Sequence, residues 1–173
     1  MNQATVGITI AQEAQMIMTQ LNTYAKPRGG TVKVLANMRH LWEEIFLLAD
    51  NPRILICYTG ETARGEYAGG QRTNLHRVDR SWQVVIMRGH GFSNLLTGQD
   101  AGKEDFYDSV ETVRDGIRVL KSISQEFPVD YKSIRPLPSA APSQTANVFM
   151  DAFVIEFQTA NDIPAIMDDG TAQ

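Results

Sequence analysis

Hydrophobic positions recur at helical spacing in three segments of the chain. Between residues 9 and 25, apolar side chains three and four positions apart share one face: Ile10, Ala14, Ile17, Leu21 and Tyr24. This spacing predicts an amphipathic helix, and Thr9 with Gln12 fits a capping box at its start. The same spacing predicts helices over about residues 38 to 49 and 106 to 123, with Asp105 as the expected cap of the third.

Other segments carry the pattern of strands. Residues 54 to 58, ILICY, are apolar on both faces, which is typical of a central strand covered on both sides. Residues 80 to 88 and 148 to 158 are expected as two further strands, and short extended pieces are expected around residues 32 to 34 and 128 to 134.

The predicted order is helix, strand, helix, strand, strand, helix, strand, strand. This order indicates an α+β fold, a mixed sheet of about five strands with helices packed against it in a single domain. We place this domain at residues 1–159 and expect a flexible acidic C-terminal tail over residues 160–173. Gly116 inside the third helix costs about 1 kcal/mol relative to alanine, so we expect close packing to require it.

Composition narrows the class of protein. The chain has 173 residues and a net charge of −4, which suits one globular domain and disfavours a dedicated nucleic-acid binder. A local basic patch stays open, because arginines gather between Arg64 and Arg88. The single cysteine, Cys57, excludes an intramolecular disulfide and is expected in the core. No apolar run approaches the roughly 18 residues of a membrane span, so we expect no membrane partner.

The segment from Gly60 to Gly65 matches the first part of a phosphate-binding P-loop, G-x-x-x-x-G. A P-loop continues with lysine and then serine or threonine, but here Glu66 and Tyr67 follow. A carboxylate at that place reverses the required electrostatics, and no helical pattern follows the loop. We therefore expect a long loop between two strands and no nucleotide cofactor.

Candidate catalytic groups do not form a recognisable pattern. The histidines, His40, His76 and His90, have no metal-binding spacing, and the last two flank one predicted strand at opposite ends. The run GHGFS from residue 89 to 93 departs from the nucleophile elbow G-x-S-x-G, and we interpret it as a turn after a strand. We expect no catalytic residues, no metal and no cofactor.

Two long polar segments, residues 60 to 78 and 89 to 104, remain as candidate contact surfaces. Charged and aromatic side chains concentrate in and beside the first of them, and we predict that they form an interface: Arg64, Glu66, Tyr67, Arg72, Arg77 and Arg88. The alternative interpretation is a tolerated insertion with a solvated surface.

The whole layout resembles the tail terminator proteins of long-tailed bacteriophages, also called minor tail or tail completion proteins. Four segments carry the resemblance: IAQEAQMIMTQLNTYA, NPRILICYTGE, DRSWQVVIMRG, and DSVETVRDGIRVLKSI leading to VFMDAFVIEFQT. They span about residues 9 to 158. The resemblance is one of architecture and contains no catalytic motif.

The resemblance implies a structural virion protein without enzymatic activity. It implies a homo-oligomeric ring, usually a hexamer, at the head-proximal end of the tail, where it caps the tail tube and meets the head connector. The expected partners are therefore further copies of the chain, the tail tube protein and the head connector protein. Genomic DNA would pass through without specific binding, since an acidic channel repels it.

Two alternatives stay open. One is another head–tail joining component of the same assembly. The other, from a different class, is a small hydrolase or nucleotide-binding enzyme that uses residues 60 to 70 and His90. That alternative predicts stabilisation of the native state by its ligand.

Overall fold

The structure is a computed structural model. It describes residues 8–25, 30–36, 40–45, 52–63, 75–91, 103–120, 129–137 and 148–164. The elements follow one another in the predicted order. They are α1 (Ile10–Ala25), β1 (Thr31–Leu35), α2 (His40–Ile45), β2 (Arg53–Ala63), β3 (Leu75–Gly91), α3 (Lys103–Arg118), β4 (Asp130–Pro136) and β5 (Val148–Pro164).

The five strands form one mixed sheet in the order β1-β2-β3-β5-β4. β1 and β2 are parallel, and the other neighbouring pairs are antiparallel. The predicted α+β class and five-stranded mixed sheet are therefore confirmed. β3 and β5 have 17 residues each and pair along their whole length. At about 3.3 Å per residue, this pair of strands is roughly 55 Å long.

Alternating residues of the central strands divide the core into two layers. On the first face of the sheet, Ile54, Ile56 and Trp82 belong to a buried cluster with α1 and α3. On the second face, Leu55 and Cys57 belong to a buried cluster that includes Leu41 of α2, together with Val85, Met87, Ala152 and Val154. β2 is apolar at successive positions because each of its faces contributes to a core, as the sequence predicts.

The start of α1 has the predicted capping box. The backbone N–H of Gln12 donates to Thr9 Oγ1 over 3.2 Å, and the backbone N–H of Thr9 donates to Gln12 Oε1 over 2.8 Å. α1 then packs against α3 at Gly116. A Cβ at that glycine would lie 3.0 Å from Cδ2 of Tyr24 and 3.3 Å from Cδ2 of Leu21. The predicted close packing is therefore present.

Strand lengths differ from the prediction. β2 continues to Ala63 and β3 runs from Leu75 to Gly91, so both ends of the predicted loop at residues 60 to 78 are strand, and residues 64–74 lie outside the described part. Residues 89 to 91 extend β3 instead of breaking it, because β5 provides a hydrogen-bonding partner that overrides the weak strand preference of glycine. β5 continues to Pro164, so the predicted boundary at residue 159 lies inside a strand.

Helix boundaries also differ. α3 begins at Lys103, so Asp105 lies inside the helix instead of capping it. α2 is described from His40 to Ile45, which lies within the predicted 38 to 49. The flanking residues 37–39 and 46–51 lie outside the described part, as do residues 121–128 after α3.

Candidate assembly surfaces

Most of the predicted interface residues have side chains outside the described part of the structure. Arg64, Glu66, Tyr67 and Arg72 are outside the described residues. The backbone of Arg77 belongs to β3 and pairs with β5. Their place in an interface therefore stays a prediction.

Arg88 differs from this group because its side chain is inside the protein. The residue is 7% exposed, and its guanidinium carbon lies 5.3 Å from the centroid of the Phe106 ring, within the range of a cation–π contact. Its Nε has no hydrogen-bond partner within the described part of the chain. Arg88 was predicted as an interface residue; alternation along β3 directs its side chain under α3, where the subunit's own residues cover it, and its role in an interface stays a prediction.

A buried ion pair joins the start of α1 to the central strands. Arg80 Nη1 lies 2.7 Å from Glu13 Oε2, and the two side chains are 4% and 2% exposed. Arg80 Nη1 also donates to the carbonyl oxygen of Ile8 over 2.8 Å. The carboxylate of Glu13 accepts further hydrogen bonds from Thr159 Oγ1 and, over 3.0 Å, from Asn161 Nδ2. Each charge is therefore compensated, and the first turn of α1 is held over β3 and β5.

The same guanidinium reaches toward the base of the β2–β3 connection. Arg80 Nε lies 3.3 Å from Glu61 Oε2, whose side chain is 36% exposed. Tyr58 packs edge-on against Trp82 with ring centroids 5.4 Å apart. Burial, together with the nearby negative Glu61, raises the pKa of the Tyr58 phenol. These contacts tie β2 to β3 near the end of β2.

A second buried carboxylate ties α2 to the parallel strands. Glu44 is 4% exposed and accepts hydrogen bonds from Lys33 Nζ and, over 2.8 Å, from Arg53 Nη1. The hydrogen bond from Lys33 is the main reason that the pKa of Glu44 lies below its ordinary value. Glu44 is thus an ionised structural group.

The second face of the sheet becomes polar beyond its apolar cluster. Gln158 Nε2 donates to Ser81 Oγ over 3.0 Å, and Gln83 Nε2 donates to Glu156 Oε1 over 3.0 Å. The uncharged, half-buried side chains of Ser81, Gln83 and Gln158 form what we call the sheet patch. It borders the ion pair between Glu156 and Arg135, whose charged atoms are 3.0 Å apart.

The exposed side of α1 is uncharged as well. Among the 16 residues of this helix, Glu13 is the single charged one, and its side chain points into the core. Apart from Ile10 at the start, which is exposed as well, the outward positions carry small or polar neutral side chains. Together we call them the α1 outer face: Ala11, Gln12, Gln15, Thr19 and Thr23, with half-buried Met16 beside them. Neither this face nor the partner of Glu13 was predicted from the sequence. The available signal was one acidic residue in an otherwise uncharged helix.

The described part of the segment in the enzymatic alternative, residues 60 to 63, is strand. Gly60 lies at an irregularity in β2 with φ of 143°, and residues 60 to 63 continue the antiparallel ladder with β3. The first positions of the motif are therefore strand, not a cradle for phosphate. His76 and His90 belong to opposite ends of β3. Burial raises the pKa of the Cys57 thiol to about 11, so it is protonated at neutral pH.

Within the described ranges, no group of three or more His, Cys, Asp or Glu side chains is placed to hold a metal ion. In that same part of the chain, no helix is long and apolar enough to cross a membrane. Comparison with protein-family models found no match, and comparison with curated proteins found none either.

Proposed function

We propose that this chain is a structural assembly protein, a ring-forming tail terminator that caps the tail tube of a long-tailed bacteriophage and joins it to the head connector. The observation that supports the proposal is the architecture: a mixed five-stranded sheet with α1 and α3 on one face. The resemblance to tail terminator proteins implies helices packed against a mixed sheet, and the described parts of its four segments form such a fold.

The state of the buried ionisable groups also favours a structural role over catalysis. Glu13 and Arg80 compensate each other, Glu44 is held ionised by two cations, and Cys57 is a protonated core thiol. An acid–base catalyst needs a group with a pKa near the working pH. The two ion-paired groups instead fix α1 and α2 to the sheet, and Cys57 belongs to the core.

Light scattering and electron microscopy of the purified chain test the proposal, together with its addition to tail tubes assembled from the tube protein of the same phage. We expect a closed ring, six copies of the 19.3 kDa chain, that binds tube ends and stops their growth. A closed ring that does not bind tube ends would favour another head–tail joining component. A protein that neither forms a ring nor binds tube ends would refute the proposal.

Charge reversal at Arg64 and Arg72 tests the predicted loop interface within this function. We expect the variant to fold as a monomer and to lose ring assembly. Assembly that persists unchanged would remove these loop residues from the interface.

A further inference from the structure

We draw no further inference here: the strongest candidate, the apolar patch in which exposed Tyr107 of α3 and exposed Ile134 of β4 lie beside half-buried Phe153 of β5, carries no proposal because nothing in the structure shows what covers it.

Discussion

Replacing Arg80 with methionine tests the buried ion pair that holds α1 to the sheet. The substitution leaves the carboxylate of Glu13, whose side chain is 2% exposed, without its cation in a low-dielectric environment. Removing one partner of a buried pair typically costs about 3 to 5 kcal/mol. For a chain of this size, each kcal/mol lowers the melting temperature by about 2 to 4 °C, so we expect a decrease of roughly 6 to 20 °C.

The sharper test is the sign of a second substitution. In the wild type, Glu13→Gln should destabilise, because Arg80 loses its nearest carboxylate at 2.7 Å. In the Arg80→Met background the same substitution removes an uncompensated charge, so it should restore about 2 kcal/mol. Urea unfolding of the four proteins at one fixed concentration measures both effects in a double-mutant cycle. Equal destabilisation by Glu13→Gln in the two backgrounds would show that the pair is not coupled, and the reasoning would be wrong.

Three further predictions concern packing, pH and the thiol. Gly116→Val should cost about 2 kcal/mol of unfolding free energy, because a Cβ there already lies 3.0 Å from Tyr24; unchanged urea stability would contradict this close packing. The hydrogen bond from Arg135 is the largest of the effects that lower the pKa of Glu156 below its ordinary value of 4.5. The ionised Glu156 therefore contributes stability above its unfolded-state pKa, and this stability is lost as pH falls through the folded-state pKa. The difference in unfolding free energy between wild type and Glu156→Gln should close in acid. A difference independent of pH would show that Glu156 is not ionised in the folded protein. Cys57 should react with a thiol reagent at pH 8 only after unfolding, since burial raises its pKa to about 11; rapid labelling of the native chain would show that it is accessible.

Local patterns were sufficient for much of the fold. The helical spacing of Ala14, Ile17 and Leu21 located α1, and these residues are buried as expected. Residues 54 to 58 are apolar on both faces, and this pattern identified β2 as a central strand. Strand ends were less predictable, because the pairing with β5 extends β3 through Gly89 and Gly91, which local preference would exclude.

The candidate surfaces were less accessible to sequence reasoning than the fold. Charge density directed attention to residues 64 to 88, yet Arg88 proved to be buried against Phe106. The α1 outer face drew no attention because uncharged helices are also found in cores, and burial decides between these cases. Here the exposed fraction of each side chain separates the inner stripe from the neutral outer side.

Sequence alone determined the element order, the α+β class, the capping box of α1 and the core position of Cys57, because each follows from residues close together in the chain. Tertiary structure decided which distant residues meet. Glu13 is separated from Arg80 by 67 positions and from Asn161 by 148, and no local pattern encodes those separations. The strand order β1-β2-β3-β5-β4 brings these residues under the first turn of α1, and there the need to compensate a buried charge selects their pairing.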